Sequence, residues 1–344
     1  MYKFYTTSLL ILISIIGCKE KKEKPHFLSA VVQDTKQRNF VENGLSLVLE
    51  KDLEEMEIFT SSRLKEINEY FVLEEREVLG IKFLNKESLE IENSFTISSG
   101  RGPQELEFIM AFDADEKLVA VADNRLHKII LFNHDGNMIR EFITDKKTPH
   151  RLALSNNGSM NIMSQVFFDD IENGFLANLN LYGEVNYYFK KEGFKELNPF
   201  ATEGNIESIN DTLYYVGEYE PFIKKYVSGE LSYTRATIDN HDTALNYVTI
   251  ISDENRSISL TPETVFSTID FDIKNGRLFI VPYANGIEGF SYIDVYNSND
   301  GEYIRTYKTI NKADQVEVYQ DERFILTIER TGDLSKPVLR KYSY

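Results

Sequence analysis

The sequence predicts an all-β fold: a six-bladed β-propeller with four-stranded blades, its ring closed by an N-terminal strand. Three observations predict it. A strand–turn–strand unit recurs with anchors at Phe71, Leu118, Met160, Leu213, Leu278 and Phe324, spaced 47, 42, 53, 65 and 46 residues apart. That is the length of a four-stranded blade with its loops. The second strand of each unit is a nearly continuous apolar run, which implies burial on both faces, as in radially stacked blades. The last unit stops at its third strand, Val338-Leu339-Arg340-Lys341-Tyr342, so its outer strand must come from elsewhere in the chain.

The clearest unit places the polar turn Asp115-Glu116-Lys117 before Leu118-Val119-Ala120-Val121-Ala122. His127 to Phe132 follows, then the turn Asn133-His134-Asp135-Gly136-Asn137, then Met138 to Phe142. A second unit sets Leu278 to Val281 after Lys274-Asn275-Gly276-Arg277, with Tyr292 to Tyr296, a turn ending in Asp300-Gly301, and Tyr303 to Tyr307. The Asp-Gly pairs are hairpin chemistry, because glycine takes positive φ without steric cost. Weaker units have turns at Asn85-Lys86-Glu87, Tyr182-Gly183 and Ser228-Gly229. The segment Leu45-Ser46-Leu47-Val48-Leu49 is free to pair with the last unit, which removes an open edge. Helix is expected only over Glu50 to Ile58. The alternative architecture is a pair of β-sandwiches.

The 344 residues carry a formal net charge of −17, which becomes −18 once residues 1–17, with their single lysine, Lys3, are removed. Such a surface repels phosphate backbones, so nucleic acid is excluded as a partner. The single cysteine, Cys18, allows no intrachain disulfide and no thiolate metal cage.

Lys3 followed by the apolar stretch Leu9 to Ile16 reads as a signal segment, far short of the roughly 20 residues of a spanning helix. Ile15-Ile16-Gly17-Cys18 resembles the bacterial lipobox, although Ile16 stands where a small residue is usual. The resemblance implies cleavage before Cys18 and lipidation on it. The expected organisation is a signal peptide over 1–17, a lipidated tether over 18–30 and a propeller over 31–344. Lys19-Glu20-Lys21-Lys22-Glu23-Lys24-Pro25 is charged and free of apolar residues, which suits a solvated tether. It is also similar to the charged run of surface-sorted Bacteroidota lipoproteins.

Gly100-Arg101-Gly102-Pro103-Gln104-Glu105, the unit from Leu118 to Phe142 and the closing Lys336 to Tyr342 together resemble six-bladed propeller lipoproteins of Bacteroidota, related to NHL-type and TolB-like propellers. The resemblance implies an outer membrane lipoprotein, facing the periplasm or the surface, and a fold more than an activity.

Candidate ligand contacts are residues expected in top-face loops. Arg101, Gln104 and Glu105 lie in an inter-blade connection. That connection is no dinucleotide loop, because it lacks the third glycine and leads into a strand. Asp169 and Asp170, with Phe168, lie between a second and a third strand. Tyr219 and Tyr283 offer rings for sugars or peptides. The five histidines have no metal-ligand spacing, Asp113/Asp115 and Asp270/Asp272 make no calcium loop, and no Gly-x-Ser-x-Gly elbow occurs. No metal and no cofactor are expected. The expected function is a non-catalytic binding or scaffold module that presents its top face to a peptide, glycan or envelope protein. The alternative, by fold analogy alone, is a metal-dependent enzyme of lactonase or lyase type.

Overall fold

The computed structural model describes residues 31–344 apart from 34–36, 43, 60, 62, 145–148, 165–174, 190–202, 240–246, 252–255, 261–265, 284–290, 319–322 and 332–335. After β1 (Ser46–Asp52), blade 1 comprises β2 (Leu64–Ile67), β3 (Tyr70–Glu75), β4 (Gly80–Asn85) and β5 (Ile91–Thr96). A short parallel pair, β6 (Ser98–Ser99) and β7 (Glu105–Leu106), leads to blade 2: β8 (Ala111–Ala114), β9 (Val119–Asp123), β10 (Lys128–Phe132) and β11 (Met138–Ile143). Blade 3 is β12 (Pro149–Ser155), β13 (Ser159–Ser164), β14 (Leu176–Asn180) and β15 (Val185–Tyr188). Blade 4 is β16 (Gly204–Ile209), β17 (Thr212–Gly217), β18 (Phe222–Val227) and β19 (Glu230–Ala236). The hairpin β20 (Tyr247–Ile251) and β21 (Arg256–Leu260) precedes blade 5: β22 (Thr268–Lys274), β23 (Arg277–Pro282), β24 (Tyr292–Asn297) and β25 (Tyr303–Lys308). Blade 6 is β26 (Lys312–Val318), β27 (Phe324–Thr331) and β28 (Lys336–Ser343), with β1 as its outer strand. The protein is thus a six-bladed β-propeller, as the sequence predicts.

Each of the six anchors falls within one residue of the start of its blade's second strand. The longest interval, between Leu213 and Leu278, holds the extra hairpin β20–β21. The apolar runs have a simple cause. Alternate residues of one strand enter different cores, and both cores are dry. Phe71 and Leu73 pack with Leu326, Ile328 and Leu339 of blade 6, whereas Val72 between them packs with Phe112, Val119 and Val121 of blade 2. Ala120 and Ala122 turn the other way, onto Leu152, Leu154 and Ile162 of blade 3. Three further clusters fill the remaining interfaces, so an inter-blade core lies at every step around the ring.

The ring closes where expected. β1 pairs antiparallel with β28, from Ser46↔Ser343 to Asp52↔Val338, with a bulge between Leu47 and Leu49. The helix expected over Glu50 to Ile58 does not form. Glu50, Lys51 and Asp52 belong to β1, and a tight turn follows. Asp52 Oδ1 accepts the N–H of Glu54 at 2.8 Å, and Ile58 N–H donates to Leu53 O at 2.8 Å. Leu53 and Ile58 are wholly buried between blades 6 and 1. Pairing with β28 and burial of these two side chains outweigh local helix propensity.

The segment before β1 straps the outer edges of blades 4 and 5. Val31 N–H donates to Thr234 O, and Ala236 N–H donates to Val31 O, each at 3.1 Å. The Gln33 amide donates to Ala236 O of blade 4 and to Gly301 O of blade 5, at 2.9 and 2.8 Å. Phe40 bridges to Thr306 in parallel fashion and packs edge-on against Tyr292 at 5.2 Å. Arg38 pairs with Asp239 and, at 2.9 Å, with the buried Asp294. Unpaired edge N–H and C=O groups are a template for aggregation, and the strap covers part of this edge.

Candidate functional site

The first strand of each blade runs from the face that carries the inter-blade connections, the top, towards the opposite face. The tops of these inner strands and the adjacent loops hold a set of polar side chains around the channel. Arg63 precedes β2, Arg76 follows β3, His150 and Arg151 open β12, Asn205 lies in β16, Glu203 and Glu218 flank β16 and β17, and Asp270 lies in β22. Together they line a cavity of about 350 Å³.

The floor of this cavity is an ion cluster that crosses the channel. Arg63 Nη2, from blade 1, lies 2.6 Å from Glu207 Oε1 of the diametrically opposed blade 4 and donates to Ile206 O at 3.0 Å. Lys65 also pairs with Glu207 and stands 3.5 Å from Asp113 of blade 2. Asp113 Oδ2 accepts the Leu154 N–H at 2.6 Å. Burial works to raise the Glu207 carboxyl, but Lys65 and Arg63 outweigh it and hold the group below its ordinary value. Burial, opposed by Lys65, pushes Asp113 up. Below the cluster, a second cavity of about 450 Å³ opens on the bottom face, lined in part by Lys65, Asp113, Glu207, Asp272 and Lys274. Glu66 at that mouth accepts Lys86 and Lys274 at 2.6 Å each. The cluster therefore separates the top cavity from the bottom one.

The wall of the top cavity is built around Arg151. Its Nε donates to Asn205 Oδ1 at 3.0 Å, its Nη1 to His150 O at 3.0 Å, and its Nη2 lies 3.3 Å from Glu218 Oε2. Burial lowers the Arg151 pKa, with Glu218 and Glu203 opposing, and raises that of Glu218. Arg76 Nε makes no hydrogen bond among the described residues, although it stands 3.4 Å from Glu74 Oε1.

Burial, reinforced by Arg151 and Arg76, pushes the His150 pKa down to about 3. The imidazole is neutral at physiological pH, so its 3.2 Å contact with Glu203 is not an ion pair. The unfolded chain takes up this proton near pH 6.5 and the folded chain only near pH 3. Between those values the unfolded state holds more protons, so stability falls as pH drops through this window. One such group contributes a slope of up to about 1.4 kcal/mol per pH unit. His150→Gln is expected to flatten that slope, measured as the urea midpoint at pH 7 and pH 5. An unchanged slope would mean that His150 is protonated in the fold.

The residues singled out from sequence are distributed unevenly. The loop from Gly100 to Glu105 lies between blades 1 and 2 and is folded on itself. Gly102 N–H donates to Glu105 Oε2 at 2.6 Å, and a Cβ at Gly100 (φ +151°) would collide with that oxygen. Gln104 N–H donates to Glu141 at 2.6 Å, and the exposed Arg101 pairs with Glu107 at 2.5 Å. Tyr219 and Tyr283 are brought together by Phe266, with ring centroids 4.9 and 4.7 Å apart. Phe168, Asp169, Asp170 and Cys18 lie outside the described residues. Asp115 is a turn residue, its Oδ1 accepting from Lys117 and Leu118 N–H at 2.8 Å, whereas Asp113 belongs to the channel cluster. His134 sits in its hairpin turn, with Nε2 2.9 Å from Asp115 O.

Sequence reasoning missed Arg63, Arg76, His150, Arg151, Glu203 and Glu218. A signal was present for some of them: a charged residue beside or within a short apolar inner strand, as in Arg63-Leu64-Lys65, Arg151-Leu152-Ala153-Leu154 and Asn205-Ile206-Glu207. Among the described residues, no group of three or more His, Cys, Asp or Glu side chains is placed to hold a metal ion.

No family model matches the chain, and no curated relative matches it. Solved structures do. A protein of Bacteroides fragilis NCTC 9343 described as exported is similar over 91% of this chain and 98% of its own, with a TM-score of 0.58 and 12% identity. A member of the DUF4221 family from Bacteroides vulgatus ATCC 8482 matches over 88% of this chain and 99% of its own, with a TM-score of 0.59 and 14% identity. The Cps50 (Swd1) β-propeller domain of Myceliophteria thermophila matches over 87% of this chain and 99% of its own, at 0.50 and 12%. At such identities the likeness is one of fold.

Proposed function

We propose that the protein is an exported envelope lipoprotein, anchored through Cys18, whose propeller acts as a non-catalytic binding module at the top mouth of its channel. The organisation would be a signal peptide over 1–17, a tether over 18–30 and the propeller from 31 onward, on an outer membrane and facing the periplasm or the surface. The sequence around Cys18 supports the anchor, and the first of the Bacteroides neighbours is itself described as exported. Kinship with NHL-type and TolB-like propeller lipoproteins belongs to the same proposal.

The observation that carries the binding reading is the top cavity, where three guanidiniums (Arg63, Arg76, Arg151) meet Glu203, Glu218, Asp270 and Asn205. Ligand sites form in concave cavities where polar groups converge to orient the ligand. Guanidiniums repel a divalent cation, so this donor set supports ligand binding over metal-dependent hydrolysis.

The test uses two variants. Cys18→Ala is expected to move the chain from the membrane to the soluble fraction and to abolish labelling by radioactive palmitate. The soluble chain is then screened by thermal shift against short peptides and oligosaccharides. At about a hundred times Kd a ligand of the folded state adds roughly 2.7 kcal/mol. A stabiliser whose effect is lost in Arg76→Gln supports the top-mouth site. Membrane retention of the Cys18→Ala chain overturns the anchor, and stabilisers indifferent to Arg76→Gln overturn the site.

A further inference from the structure

We propose that the ligand of the top mouth is a saccharide, with Tyr283, the exposed outer ring of the Tyr219–Phe266–Tyr283 ladder, as its stacking ring; this rests on the binding reading above. The ladder is joined through its backbone to Glu218 of the cavity wall. Tyr219 directly follows Glu218, which lines the cavity. Phe266 precedes Ser267, whose N–H donates to Glu218 O at 2.6 Å and whose hydroxyl donates to Tyr219 O at 2.8 Å. Tyr283 N–H donates to Ser267 O at 3.1 Å. Three backbone segments from blades 4 and 5 are stitched together so that three rings stand in a row beside the charged mouth. Tyr219 is buried at the inner end, and Tyr283 is 40% exposed at the outer end. The Lys312 ammonium stands over the Tyr283 ring, 5.5 Å from its centroid, so a sugar stacking there takes the place of that contact.

The chemistry of the lining selects the ligand class. A peptide terminus or an apolar peptide side chain calls for one dominant charge or a dominantly apolar pocket, and the mouth is instead mostly polar with both charges present. It brings three guanidiniums (Arg63, Arg76, Arg151) and four carboxylates (Glu74, Glu203, Glu218, Asp270) together. A sugar hydroxyl both donates and accepts, so vicinal hydroxyls can bridge a guanidinium and a carboxylate at once. Sugar rings also present C–H faces, which pack on aromatic rings. A polar cup of mixed charge with an exposed ring near it meets both needs of one ligand.

Calorimetry on the soluble Cys18→Ala chain, with neutral and uronic-acid oligosaccharides on one side and short peptides on the other, decides the matter. Saturable saccharide binding is expected, weakened at least tenfold by Tyr283→Ala and by Arg76→Gln, and retained in Tyr283→Phe. Tyr283 is 40% exposed, so its variants are expected to keep the wild-type melting temperature; Arg76 stands beside the buried Glu74, so Arg76→Gln is expected to melt lower and is titrated below its own unfolding transition. Saccharide binding that ignores Tyr283→Ala overturns the stacking ring. Peptide binding that depends on Arg76, without saccharide binding, overturns the saccharide and leaves the binding module standing. Absence of any Arg76-dependent binding overturns both.

Discussion

Arg38→Ala is expected to destabilise the propeller by about 3–5 kcal/mol at neutral pH, the cost of leaving one member of a buried ion pair alone. Asp294, the member left behind, has a side chain only 1% exposed, and Arg38 itself is 14% exposed. Besides Arg38, Asp294 keeps the Thr306 hydroxyl, at 2.5 Å. Burial already pushes the Asp294 carboxyl up, and Arg38 opposes that rise. Without Arg38 the carboxyl rises further, so the folded variant holds more protons than the unfolded chain in mild acid. The deficit is therefore largest near pH 7 and shrinks as pH falls. Urea midpoints at pH 7 and pH 5 check both the size and the trend. Arg38→Ala with Asp294→Asn is expected to recover part of the loss. A deficit under about 1 kcal/mol would mean that the strap does not seat on blade 5 in solution.

Glu207→Ala is expected to cost a similar amount, about 3–5 kcal/mol, for the opposite charge reason. It leaves Arg63 and Lys65 side by side in the channel, where both side chains are 13% exposed and Glu207 is 6% exposed. Asp113 remains 3.5 Å from Lys65 and compensates only in part. The sign of the pH effect follows from the Glu207 pKa, which lies below its ordinary value. Its contribution is present in full above the unfolded pKa and is lost as pH falls through the folded one. Wild type and variant are thus expected to converge in acid. The measurement is the unfolding midpoint across pH 3–7, with Glu207→Ala/Lys65→Met as the control that removes both charges. Recovery by the double substitution would locate the cost in the orphaned ammonium.

The two substitutions act at sites of different kinds. Arg38 holds the strap against the outer edge, far along the chain from the strands that it covers. Glu207 sits at the axis, where the inner strands of opposed blades meet. Neither pairing has a local signature, since Arg38 and Asp294 are separated by 256 positions and Arg63 and Glu207 by 144.

Strand identity, blade count and ring closure were legible in the sequence, because all three follow from local periodicity. A strand between two dry cores must be apolar at consecutive positions, and Val119 to Ala122 or Phe71 to Leu73 say so without reference to the rest of the chain. Turn positions such as Gly136 and Gly301, at φ +78° and +73°, follow from backbone sterics alone. The apolar run Leu45 to Leu49, which belongs to none of the six repeats, was free to pair with the last of them. The helix expected over Glu50 to Ile58 failed because the partner that claims those residues, β28, lies almost three hundred positions away.

The site was decided by tertiary structure. A six-fold ring brings the upper ends of its inner strands to one axis, so single polar residues that look incidental within each blade become neighbours. Arg63, Arg151, Asn205 and Asp270 come from four different blades, and no spacing rule links them. Tyr219 and Tyr283 could be picked out as aromatic loop residues, but the ring that joins them, Phe266, could not. Periodicity along a chain specifies which face of a strand is dry. Only closure of the ring specifies which polar groups then share the space at its centre.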